Sequence, residues 1–230
     1  MPSLHHHPLD PHSRFIRLVL NEIGLDVDLV EEKPWEREER FLHLNPAGLL
    51  PVLVEDGGLV VPGVSAIAEY LDEAHGAGLG EHRLLSLDTA TRVETRRLAD
   101  WFLTKFHAEV SDYLVTEKIL KRFMPEDAGG GAPDTSAIRA AKTNVRYHLR
   151  YLGYLARRRN WLAGDRLSYA DLAAAAQLSV VDYLGDVPWA EDDTAKDWYA
   201  RIKSRPSFRP LLNEMVRGTT PSSTYANLDF

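Results

Sequence analysis

The chain has 230 residues, of which 44% are apolar and 27% charged, with a formal net charge of -7. That balance supports an ordinary soluble core of one or two domains, and the negative charge argues against a nucleic-acid binder. With no cysteine at all, disulfides, thiolate metal sites and a cysteine nucleophile are excluded, and no apolar run is long enough for a membrane span. A cytoplasmic protein is the expectation.

Residues 4–7 read as a first strand. His5, His6 and His7 invite a metal reading, but successive strand residues point to opposite faces, so three imidazoles in a row cannot converge on one ion. Asp10 before Pro11 is the order of a helix N-cap followed by proline at the first helical position. Ile16, Leu18, Val19, Leu20 and Ile23 supply the apolar face, and Gly24 closes the helix. Residues 27–31 read as a second strand. Residues 33–40 read as a turn and a charged, exposed helix. Trp35 at that turn either packs beneath the helix or anchors a partner.

Residues 45–71 carry the densest pattern. Pro51 enters a short apolar strand at Val52-Leu53-Val54, where a proline fits the first position. Asp56-Gly57 signals a two-residue hairpin turn, and Leu59-Val60-Val61 is the return strand. Helical spacing follows at Ala66, Ile67, Tyr70 and Leu71. A cis bond before Pro51 would expose the backbone of Val52 to a ligand.

The first domain is expected over residues 1–78, its last helix punctuated by the glycines of 76–80, and a linker over 79–86. An all-helical domain follows over 87–217 and a tail over 218–230. Long helices are expected over 87–120 and 135–159, separated by a loop at 125–134. Ser168 with Asp171 three residues on is a capping box, flanked by Leu167 and Leu172 as a staple, and its role is folding. Two last helices are expected over 193–204 and 208–216. In the tail, Gly218, Pro221 and the surrounding hydroxyl residues show no helical period. Its apolar-acidic end is equally suited to a partner's groove or to folding back on the chain.

Several of these runs resemble glutathione transferases. They are the first helix from Asp10 onward, Asn45-Pro46, Leu50-Pro51 with its hairpin, Gly164-Asp165 with Ser168-Tyr169-Ala170-Asp171, and the run from Tyr199 to Phe208. The resemblance implies an α/β N-terminal thioredoxin-like domain plus an all-α C-terminal helical domain, paired as a homodimer. Two positions depart from it. The family's serine or cysteine that serves the glutathione thiolate falls on Asp10, whose carboxylate accepts hydrogen bonds but cannot donate one. The Glu-Ser pair that grips the γ-glutamyl group falls on Gly63 and Val64, which offer no side-chain hydrogen bond.

The expectation is therefore a non-catalytic binding protein with no cofactor and no metal. The alternative is an enzyme conjugating glutathione to small electrophiles, with Ser13 as fallback hydroxyl, backbone contacts from Val52, and Ser65 recovering part of the clamp. The Asp-Pro start, the missing Glu-Ser, Pro34-Trp35-Glu36 and the terminal Leu228-Asp229-Phe230 resemble a cell-division branch of these proteins. Members of that branch bind polymers of the tubulin-like FtsZ. This implies FtsZ as partner, a place at the division site, and Trp35, Leu228, Asp229 and Phe230 as contacts.

Overall fold

The computed structural model of the chain describes residues 1–228, so Asp229 and Phe230 of the expected contact set lie outside the described residues. Four short strands form one mixed sheet: β1 (Ser3–His6), β2 (Asp28–Glu31), β3 (Val52–Val54) and β4 (Val60–Pro62), in the order β2-β1-β3-β4. β1 and β2 are parallel, joined by the crossover helix α1 (Pro11–Ile23), and the other two pairs are antiparallel. Alternation along β3 assigns its faces. Leu53 packs into the main core with α1 and α3 (Val64–His75), while Val52 packs with Phe41 of α2 (Glu39–Leu44) and Leu50 on the other face.

The Leu50-Pro51 bond is cis. The hairpin loop is longer than the two residues expected. Val54 pairs with Val60, and the Glu55 amide donates to the Leu59 carbonyl, leaving Asp56-Gly57-Gly58 as the loop. Gly58 takes φ +83°, the left-handed position that a three-residue hairpin loop requires.

The helical part contains α4 (Thr89–Asp100), α5 (Asp112–Lys118), α6 (Thr135–Ala156), α7 (Tyr169–Tyr183), α8 (Asp193–Lys203) and α9 (Arg209–Leu212). The helix expected over 87–120 is continuous from 89 to 118, but its middle, Trp101–Ser111, is wound as a π-helix between α4 and α5. The helix expected over 208–216 begins as a 3₁₀ turn and ends at Leu212.

α7 is buried on every face, and its alanines at 173–176 admit close neighbours. It packs on α1, α4 and the π-helical stretch, so one continuous core runs from β1 through α1 into the helical domain. Residues 79–86 join that core, since Leu84 and Leu85 are buried and the Leu84 carbonyl accepts from the Tyr169 amide.

The capping box forms as the spacing predicts, and its carboxylate does more than cap. Asp171 is fully buried and accepts from the amides of Leu162 (2.8 Å) and Ser168 (3.1 Å), from Ser168 Oγ (3.0 Å) and from Trp198 Nε1 (3.1 Å). Burial pushes its pKa up to about 6, against the pull of those four donors.

Candidate functional site

The loop from β1 to α1 brings His7, Leu9, Asp10, Pro11 and His12 to a cleft of about 700 Å³ between the sheet and the helical domain. Pro34, Trp35, Arg37, Leu49 and Leu50 line it from the sheet side, and His107, Ser111, Asp112, Val115 and Leu120 from the helices. The three consecutive histidines diverge rather than converge, as strand geometry requires. His5 Nδ1 meets Glu32 Oε1 at 2.8 Å, and Glu32 is clamped by both terminal nitrogens of Arg40. His6 is buried, and His7 Nδ1 accepts from the Leu9 amide while its ring edge meets Trp35. Burial holds His6 near a pKa of about 3 and His7 near about 4, so both are neutral at pH 7.

Asp10 caps α1 as expected. Its Oδ2 accepts from the Ser13 amide at 2.7 Å and from Ser13 Oγ at 2.5 Å. Ser13, the fallback hydroxyl for a thiolate, is buried, and its one proton goes to the carboxylate. Val52 is buried in the sheet between His5 and Pro62 and does not line the cleft. Ser65 is exposed on the first turn of α3 and is also absent from the lining. Gly63 precedes α3 at φ +92° without a side-chain cap, and Val64 is half-buried. None of Ser13, Val52 and Ser65, the fallback set, lines this cleft.

Trp35 sits on a 3₁₀ turn (Pro34–Glu36) braced by the Lys33–Glu36 ion pair at 2.9 Å. Half-buried, it stands at the cleft against His7. It also lines a second groove of about 330 Å³ with Ile119, Leu120, Phe123, Val216 and Arg217. Trp35 thus shares a surface with the base of the C-terminal segment.

That segment folds back on the protein. The Ser222 amide donates to the Tyr183 carbonyl, Ser222 Oγ to the Asp182 carbonyl, and Lys203 Nζ to the Thr224 carbonyl. Tyr225 is fully buried, and its hydroxyl donates to the Leu211 carbonyl (3.0 Å) while accepting from Arg14 (3.1 Å). Arg14, also fully buried, donates to the Pro8 carbonyl and Ser179 Oγ and lies against the rings of Tyr183 and Tyr225. Arg17, one turn on, donates from Nη1 to both carboxylate oxygens of Glu214. Beyond this anchor Leu228 is 42% exposed. Sequence reasoning passed over Arg14 and Tyr225. Two arginines three apart, set among Phe15, Ile16, Leu18, Val19 and Leu20, are the signal that marks a buried charged network.

A thioredoxin-like sheet, an all-helical second domain and a cleft beside the start of α1 define the class. The chain belongs to the glutathione S-transferase family: its N-terminal domain model matches residues 11–74 and its C-terminal domain model residues 119–206. Among relatives, FtsZ-localized protein A of Caulobacter vibrioides (strain NA1000 / CB15N) is 46% identical over 231 residues, covering 99% of this chain and 98% of that protein. Among solved structures, a glutathione S-transferase from Sinorhizobium meliloti 1021 is 55% identical with a TM-score of 0.98 and full coverage of both chains. FzlA from C. crescentus is 45% identical with a TM-score of 0.92, covering 100% of this chain and 99% of that one.

Proposed function

We propose that this chain is a glutathione-transferase-like cell-division protein that binds FtsZ polymers at the division site in the cytoplasm, as a homodimer. The observation that carries the reading is the shared groove. Trp35, a large aromatic held half-exposed on a braced turn, lines one surface with Val216 and Arg217 at the base of the anchored tail. An aromatic anchor beside an apolar strip is the usual composition of an interaction hot spot. The likeness to a protein named for localisation to FtsZ supplies the partner. The glutathione side supports it by subtraction: the Ser13 hydroxyl is committed to Asp10, and the γ-glutamyl positions are Gly63 and Val64. Pairing of two copies is supported by the half-exposed ring cluster of Trp101, Tyr147 and Tyr151, and sedimentation velocity tests it. Among the described residues no helix is long and apolar enough to cross a membrane.

The test is co-sedimentation with FtsZ polymers. The tail arm must keep Tyr225, because cutting after Arg217 removes a buried ring and its hydrogen bonds. Truncation after Ala226 leaves the anchor and removes only the end. Trp35→Ala and this truncation are each expected to reduce co-sedimentation, with glutathione titration giving no heat. Full co-sedimentation by both variants contradicts the proposed surface.

A further inference from the structure

We propose that the interdomain cleft binds a small amphipathic primary amine, its ammonium held by Asp10, His12 and His107 and its apolar body by Leu9, Val115 and Leu120. The polar end is marked by the atoms that can still accept. Asp10 Oδ2 takes both bonds from Ser13, while Oδ1 accepts no hydrogen bond among the described residues and lies 3.8 Å from His12 Nδ1. His12 donates from Nε2 to the Leu103 carbonyl at 2.7 Å, so in the neutral ring Nδ1 carries the lone pair. That carbonyl belongs to the π-helical stretch, a winding found often at functional sites.

The second imidazole is oriented from below. Ser111 Oγ donates its proton to Gln177 Oε1, so the same oxygen accepts from His107 Nδ1–H at 3.3 Å, and His107 Nε2 carries the lone pair. The His12 and His107 rings are 4.2 Å apart, and burial, with His12 next in importance, holds the His107 pKa below its ordinary value. Asp112, a second carboxylate lining the cleft, has no ion-pair partner among the described residues. Among the described residues the one guanidinium in the lining is that of the exposed Arg37.

The polar end is thus one free carboxylate oxygen and two imidazole lone pairs, against an apolar wall. An ammonium has three donors and no acceptor, which matches that set, whereas a thiolate or carboxylate meets another carboxylate at Asp10 and only lone pairs on the two neutral imidazoles. Among the described residues no group of three side chains has the spacing to hold a metal ion. This ligand class is opposite in charge to the thiolate served at the same position in glutathione transferases.

The test is calorimetric titration of the full chain with phenethylammonium and with 3-phenylpropanoate, two probes of similar shape and opposite charge. The amine is expected to bind at least about tenfold more tightly, roughly 1.4 kcal/mol. Asp10→Asn, which keeps a favoured N-cap residue, is expected to weaken the amine about tenfold. Asp112→Asn, at an exposed position with no ion-pair partner among the described residues, is expected to weaken it about threefold. Nitrogen-15 spectra are expected to show the Nδ1–H tautomer for His107 and Nε2–H for His12. The proposal is overturned by equal or tighter binding of the anion, by amine binding indifferent to both substitutions, by the opposite tautomers, or by no amine binding up to about 10 mM.

Discussion

The two ends of the first half of α1 treat polar groups in opposite ways. At the cap, Asp10 Oδ1 accepts no hydrogen bond among the described residues, and the neighbouring His12 and His107 line the cleft. One turn on, Arg14 and Arg17 are buried and bonded to Pro8, Ser179, Tyr225 and Glu214, with Arg14 Nη2 making only the longer 3.9 Å contact to Glu214. The first end opens on the cleft; the second is a closed network tying the N-terminal helix to the C-terminal segment. The same helix that opens on the cleft at its cap also anchors the C-terminal segment.

The largest expected effect breaks the closed side. Arg14→Ala removes a buried charge whose partners stay behind, and a loss of about 3–5 kcal/mol is expected. Chemical denaturation reads the loss, and amide exchange at Ser222 and Tyr225 should rise with it. Asp171→Asn probes a second closed network. One amide carbonyl cannot accept from the four donors that now converge on the carboxylate, so a loss of about 3 kcal/mol is expected.

Acidification separates the two kinds of buried group. His6 and His7, held at about 3 and about 4, are neutral in the fold, while the unfolded chain takes up their protons below about 6.5. Their contribution is complete above that pH and is lost as pH falls toward 4. Asp171, raised to about 6, has the opposite sign and regains stability between about 6 and 4. Two histidines outweigh one aspartate, so these three groups give a net loss on the order of 2 kcal/mol from pH 7 to 5. Denaturation midpoints at the two pH values check it, and His7→Gln should flatten the slope. Tyr225→Phe, which removes one hydroxyl from the anchor, is expected to cost about 1 kcal/mol.

What the sequence revealed follows the range of the interactions involved. Asp10 before Pro11, Gly24 after Ile23 and Ser168 before Asp171 act over three or four residues, and each is found where the spacing places it. The hairpin differed by a residue because Gly57-Gly58 allows either loop, and pairing of Val54 with Val60 decides between them. The π-helical winding from Trp101 carries no local mark. At the site, Asp10 and the Gly63-Val64 substitutions were visible, and so was Trp35 as an unexplained aromatic. The link from Arg14 to Tyr225 spans 211 positions, and no periodicity could show it.

The most direct measurement of the central claim is co-sedimentation of the purified chain with FtsZ polymers, wild type beside Trp35→Ala. Trp35 is half-buried on a surface turn, so its loss is expected to leave stability within about 1 kcal/mol. The account predicts that the wild type pellets with the polymer and that the folded Trp35→Ala variant stays in the supernatant. A wild-type chain that stays in the supernatant, or a variant that pellets equally well, would contradict it.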